Sequence, residues 1–297
     1  WLVAVSLIGL VVAAGSIVVI PVSPAQTIFN NMLVVDGFAF FFKLLFLGIA
    51  ALVILASTDY VSKFTNFRGE YYALVILATL GMMLMAATSE LITIYISLEL
   101  TSISLYVLAG FLKDSKSTEA SLKYLLLGAI SSAVLLFGMA LVFGSTGQTQ
   151  LGQIAGSVAS LSATGVMANP TLVLGIVLLV AGFGFKVAAF PFHMWVPDVY
   201  EGAPTPVVAF LSVGSKAAGF ALILQVFSTA FGFTDWLSIN FGLVFAGLAA
   251  IGMFVGNLSA LPQTNIKRML GYSSIAQAGY LMVGLATMGV SPSADIL

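Results

Sequence analysis

Three ionisable side chains stand inside long apolar runs. Glu99 lies in SELITIYISLELTSISLYVLAGF, Lys186 in VLLVAGFGFKVAAFPF and Lys216 in VVAFLSVGSKAAGFALI. Burial favours the neutral form of a lysine, and a carboxylate nearby favours the charged form. Moving that carboxylate, or changing its protonation, therefore loads or releases a proton on the amine. These residue types point to proton transfer and not to bond-making on an organic substrate. His193, the single histidine, follows Lys186 by seven residues and is suited to relaying protons near neutral pH, or else to orienting its neighbours by hydrogen bonds. Alone, without acidic or cysteine companions at ligand spacing, it forms no metal site.

Pro191 falls between Lys186 and His193. Proline removes a helical hydrogen bond and its ring clashes with the preceding turn, so a helix carrying Lys186 is expected to break at Pro191. Carbonyls freed at membrane depth are tolerated only where protein or water surrounds them, which suggests a hydrated cavity beside the lysine.

The elements that must hold these residues follow from composition. Of 297 residues, 60% are hydrophobic and 7% charged, against about 25% charged in soluble domains. The sequence therefore reads as all-α, a polytopic membrane helix bundle, since runs of about 20 apolar residues cross a bilayer and lipid forces backbone groups to be satisfied within each segment. Spans are expected at about 1–20, 37–58, 71–88, 90–112, 121–145, 171–190, 205–231, 237–258 and 266–288, with no soluble domain between them. The polar stretch 146–170 reads as a loop with a short surface helix. The chain is read as one transmembrane domain over 1–297. Trp1 to Ile20 lacks a basic leader and reads as a span, not a signal peptide. A start at Trp1 without Met, and an end on SPSADIL, which looks like a loop leading to another helix, give the expectation that both ends are incomplete.

Threading the spans up and down puts Lys63, Arg68, Lys113, Lys116, Lys123, Lys267 and Arg268 on one side and no lysine or arginine on the other. That asymmetry marks the cytoplasmic or equivalent side. Of the other three lysines, Lys43 lies six residues into its span and is expected to snorkel to the interface. Glu99, Lys186 and Lys216 lie near mid-membrane, roughly 13 Å along its helix for Glu99 and roughly 16 Å for Lys216. A charge there costs at least about 2.5–3.5 kcal/mol, so each should face the bundle interior or water. A static buried pair of Glu99 with a lysine is the bland alternative, but such pairs stabilise little relative to apolar replacements.

Other features exclude functions. The net charge of −1 and lack of a basic cluster offer nothing to nucleic acid, and zero cysteines leave no thiolate for iron–sulfur ligation or redox chemistry in these residues. Gly182-Phe183-Gly184 neither follows a strand nor opens a helix, so it is a packing feature and not a dinucleotide fingerprint. Gly252 and Gly256 give a small-xxx-small face of the same kind.

The runs SLELTSISLYVLAGF (97–111), FKVAAFPFHMWVPDVYEGAPTPVVAFLSVGSKAAGF (185–220) and IKRMLGYSSIAQAGYLM (266–282) together resemble the antiporter-like membrane subunits of respiratory complex I, most closely the N-type subunit and its photosynthetic counterpart. The resemblance implies an inverted-repeat fold with a discontinuous helix, its first five-helix repeat at about 71–231 and the start of the second at 237–297. It implies a proton pathway through Glu99, Lys186, Lys216 and His193, with Pro191 at the helix break. It further implies a proton-translocating subunit of an NADH-quinone oxidoreductase-like complex in an energy-transducing membrane such as a bacterial inner or thylakoid membrane. Other membrane subunits of that complex would be its partners, and flavin and iron–sulfur clusters would reside in partner subunits. Two rivals remain open, a subunit of a multi-subunit cation/proton antiporter and a membrane scaffold that does not transport.

Overall fold

In the computed structural model, residues 1–64, 66–162, 169–231 and 235–288 are described. The terminal SPSADIL and residues 163–168 of the long polar stretch lie outside them. Helices occupy every predicted span: α1 (Leu2–Val19), α2 (Gly37–Phe64), α3 (Arg68–Met85), α4 (Leu91–Ala109), α5 (Ser115–Thr146), α7 (Pro170–Val187), the rod formed by α9 (Thr205–Phe210) and α10 (Lys216–Thr229), α11 (Asp235–Ala260) and α12 (Ile266–Met288). The expected surface helix is α6 (Leu151–Ser162), and α8 (Trp195–Gly202) is one the sequence reading lacks. Nine spans are expected, whereas seven helices among the described residues are long and apolar enough to cross a membrane; α3 and α12 are not in that set. The former opens on Arg68, Glu70 and two tyrosines, and the latter carries Lys267, Arg268 and Gln277. Beyond the helices, β1 (Gln26–Ile28) and β2 (Leu33–Val35) make a short antiparallel pair.

The polarity of the helices is turned outward for lipid. Along α4, Ile92, Ile96, Ile103 and Val107 are exposed, while Ser97, Thr101, Ser102 and Ser104 are buried. Three of those hydroxyls bond carbonyls one turn back, Thr101 to Ser97, Ser102 to Leu98 and Ser104 to Leu100. A buried hydroxyl in an apolar bundle needs such a partner.

The described chain divides into two compact units. The first comprises Trp1–Gly128 and Asp198–Leu222. Its two ends differ in charge. At one, Lys113 Nζ lies 4.7 Å from the centre of the Phe67 ring, Arg68 donates to the Ser62 carbonyl, and Lys116 pairs with Glu201 at 3.5 Å. At the other, the β1–β2 hairpin is tied to the α3–α4 connection by Val34 N to Ala87 O at 2.7 Å and Ser89 N to Met32 O at 3.0 Å, with no basic residue in either connection. Within this unit the charge asymmetry read from sequence holds. Lys116 and Lys123, placed in a loop by the sequence reading, instead belong to α5. That helix starts six residues earlier than expected, because Asp114 caps it by accepting from Ser117 N at 2.7 Å. Lys123 pairs there with Glu119 and Asp198, each at 2.8 Å. We expect a cysteine at Lys113 to react with a membrane-impermeant maleimide from one side, and cysteines at Ser89 and Gln150 from the other. Labelling of Gln150 from the Lys113 side would refute the topology.

The second unit comprises Ala129–Pro197 and Ile223–Leu297. Here α5 and α7 approach closely at glycines. A Cβ on Gly182 would meet Leu135 Cβ at 2.6 Å, and one on Gly138 would meet the Gly175 carbonyl at 2.9 Å. In α11 a Cβ on Gly256 would lie 2.6 Å from Ala276 N of α12, so the small-residue face is the contact between these helices.

Candidate functional site

Asn169 caps α7 by accepting from Leu172 N at 3.1 Å, with Pro170 at the first helical position. The helix carries Lys186 to within one residue of its end at Val187. The break thus begins three residues before the predicted end at 190, and Pro191 lies beyond it rather than at it. The reason is local. The residue before a proline is driven out of helical conformation, and the chain prepares for this with Ala188 in the left-handed region at φ 60°. Ala189 N then donates to the Gly184 carbonyl at 2.8 Å and Ala188 N to Phe185 O at 3.1 Å, the arrangement of a Schellman cap.

Two carbonyls freed by the break are therefore taken up by protein. Phe185 O also accepts from the Trp195 indole at 3.1 Å, and Trp195 is buried. Gly184 is needed in turn because a Cβ there would meet the Phe192 ring at 2.9 Å. Lys186 is 4% exposed. His193 is half-buried and its ring stacks on Phe190 with centroids 5.4 Å apart. Ala188 bears the cost of a left-handed residue with a side chain, about 1–2 kcal/mol. Ala188→Gly should raise the thermal stability of the solubilised protein or leave it unchanged, and Ala188→Val should lower it, both read by heat denaturation.

Lys216 occupies a second interruption. Residues Leu211–Ser215 form a single π-helical turn between α9 and α10, with Lys216 directly after it. Such bulges widen the helix by one residue and recur at functional positions. Lys216 is 5% exposed. The π turn packs on α2 and α3, and α9 packs on α2 and α4. A Cβ on Gly214 would stand 3.2 Å from Met82 Sδ. Nothing in the sequence marks the π turn apart from this glycine.

Glu99 differs from both lysines. It is half-buried, on the seam between the lipid-facing Ile96 and Ile103 and the buried Leu98 and Ser102. The expectation of an interior position holds fully for Lys186 and Lys216 and only at this margin for Glu99. Glu90, which the sequence suggests is reached by water at a helix end, is instead 5% exposed. It caps α4, its carboxylate accepting from Thr93 N at 2.8 Å and Thr93 Oγ1 at 2.9 Å. Lys43 is half-buried and feels the Asp36 carboxylate, two turns before it at the start of α2. By unit, Glu99 and Lys216 belong to the first, and Lys186, Pro191 and His193 to the second.

The helix after the break, α8, is legible only in hindsight. Trp195, Val196, Val199 and Tyr200 form its buried face, and in the first unit Gly202 lets it close on α5, since a Cβ there would meet the Lys116 carbonyl at 2.5 Å. Asp198 and Glu201 anchor it to Lys123 and Lys116.

Residues 88–295 match the family described as NADH:quinone oxidoreductase/Mrp antiporter, TM. The chain is 54% identical over 97% of its length to NADH-quinone oxidoreductase subunit N of Dehalococcoides mccartyi, and covers 59% of that protein. It thus spans rather more than half the length of such relatives. It is similar in structure to a chain of respiratory complex I from Thermus thermophilus, with TM-score 0.77, 38% identity, and coverage of 96% of this chain and 58% of that one. A chain of the Mrp complex from Dietzia sp. shares the fold at TM-score 0.74 and 21% identity, over 96% of this chain and 53% of that one. The chain belongs to the NADH:quinone oxidoreductase/Mrp antiporter family of membrane proteins.

Proposed function

We propose that this chain is part of an N-type proton-translocating membrane subunit of an NADH-quinone oxidoreductase-like complex, in which electron transfer to quinone in other subunits drives protons through this bundle. The observation that carries the reading is that both buried lysines sit at interruptions of the helical ladder, Lys186 one residue before the end of α7 and Lys216 directly after a π turn. An interruption supplies polar backbone where an apolar span would otherwise isolate the amine, which is what proton exchange at membrane depth requires. In this role Glu99 sets the charge felt by an amine, Lys186 and Lys216 carry the proton, and His193 passes it on beyond the break near Pro191. Residues 71–231 form the first five-helix repeat and 237–297 begin the second. Flavin and iron–sulfur clusters belong to partner subunits, because these 297 residues offer no cysteine thiolate.

The antiporter alternative is favoured less by the comparisons, since identity is 54% to a complex I subunit and 21% to the Mrp chain. Affinity purification of the full protein from its own membranes separates the readings. Co-isolation of subunits containing flavin and iron–sulfur clusters supports the proposal, and recovery with membrane subunits alone supports the antiporter.

A further inference from the structure

Within the first unit, the space between Glu99 and Lys216 is marked by hydroxyls. Glu99, Ser102 and Tyr106 stand at i, i+3 and i+7 on α4, and so share one helix face. The Tyr106 hydroxyl bonds the Ser102 side chain and lies close enough to Glu99 to feel its charge. Ser102 already donates its own proton to the Leu98 carbonyl at 2.7 Å, so in this pair Tyr106 is the donor. The Tyr106 ring meets the Tyr124 ring of α5 edge-on, centroids 4.6 Å apart at 86°. The Tyr124 hydroxyl in turn lies within reach of Ser215, the residue that ends the π turn next to Lys216. Ser215 is 1% exposed, and its Oγ has no well-aligned hydrogen bond. Leaving such a hydroxyl unsatisfied costs about 1–3 kcal/mol, which is hard to account for by packing alone.

A glycine holds this arrangement open. A Cβ on Gly128 of α5 would overlap the Tyr106 hydroxyl and lie 2.6 Å from Tyr106 Cζ and 3.0 Å from Cε1. The hydroxyl therefore rests on bare backbone. The α4 backbone is fixed there as well, since Ser121 Oγ donates to the Tyr106 carbonyl at 2.7 Å.

We propose that Tyr106 and Tyr124, with Ser102 and Ser215, form a hydroxyl relay through which Glu99 and Lys216 exchange a proton. The inference rests on the proton-path reading above. In each transfer a hydroxyl oxygen accepts a proton on one side and releases its own on the other. The tyrosines end unchanged, while the Glu99 carboxyl loses one proton and the neutral Lys216 amine gains it, or the reverse. Ser102 positions the Tyr106 hydroxyl, and Ser215 delivers to the lysine beside it.

The test measures protons taken up per quinone reduced in sealed vesicles carrying the full complex, at matched abundance. The variants are Tyr106→Phe, Gly128→Ala, Glu99→Gln and Tyr71→Phe. Phenylalanine at 106 keeps the ring contact with Tyr124 and removes only the hydroxyl. Alanine at 128 leaves every polar group in place and pushes that hydroxyl aside. Both should lower the ratio about fivefold, on the scale of losing one buried hydrogen bond. Tyr71→Phe removes a buried hydroxyl bonded to Ser57 at 2.9 Å elsewhere in the unit, and should leave the ratio unchanged. A ratio unaltered in Tyr106→Phe while Glu99→Gln lowers it overturns the relay and leaves the proton path standing. If Glu99→Gln is also without effect, both fall. An equal loss in Tyr71→Phe shows a general packing defect and likewise overturns the relay.

Discussion

Lys186→Ala is expected to cut proton-coupled quinone reduction to below about a tenth of the parent rate while the complex still assembles, in keeping with the loss of a positioned proton carrier. Lys186→Arg should be nearly as damaging. Arginine stays charged at any physiological pH, so it preserves an ion pair but cannot release the proton. A scaffold role predicts the opposite ordering. A static pair would be rescued by arginine, and alanine would destabilise by leaving a carboxylate buried without its counter-charge. The two variants therefore separate carriage from support at one position. The readouts are quinone-reductase activity and proton uptake in vesicles, with abundance measured alongside.

Glu99→Gln should lower coupled activity severalfold, and Glu90→Gln should leave it close to the parent. The contrast rests on what each carboxylate does. Glu90 is a helix cap whose oxygen accepts from Thr93 N and Oγ1, and an amide oxygen in glutamine can accept the same bonds. Glu90→Ala, which removes the acceptor, should cost about 1 kcal/mol of stability without changing the proton ratio. Glu99 lies on the seam of α4 beside Ser102 and shares a helix face with Tyr106, and glutamine there can neither bear nor lose a charge. Equal pumping by the two glutamine variants, both normally assembled, would contradict a proton role for Glu99.

The spans were legible because lipid imposes a single rule. Apolar stretches long enough to cross must be helices, and each expected range contains one. Their ends were less legible because caps decide them. Asp114 starts α5 six residues early, and the left-handed Ala188 stops α7 three residues early. Chemistry-bearing residues stood out for the same reason, since a lysine amid leucine and phenylalanine is costly enough to call for an explanation. What composition could not show was the local geometry around them. The π turn before Lys216 arises from packing against α2 and α3. The short α8 has too few residues for a span and is held by Trp195 and by pairing with α5. The burial of Glu90 depends on the fold around the start of α4, which a helix-end position in sequence does not disclose.

The central claim is that a proton passes over the buried amines of this chain. The most direct measurement is the number of protons taken up per quinone reduced by sealed vesicles containing the full complex with Lys216→Arg, compared with the parent at equal abundance. The account predicts that the ratio falls while the complex remains assembled, because a permanently charged side chain after the π turn can neither accept nor release a proton. A ratio equal to the parent's in an assembled complex would contradict it and remove Lys216 from the path.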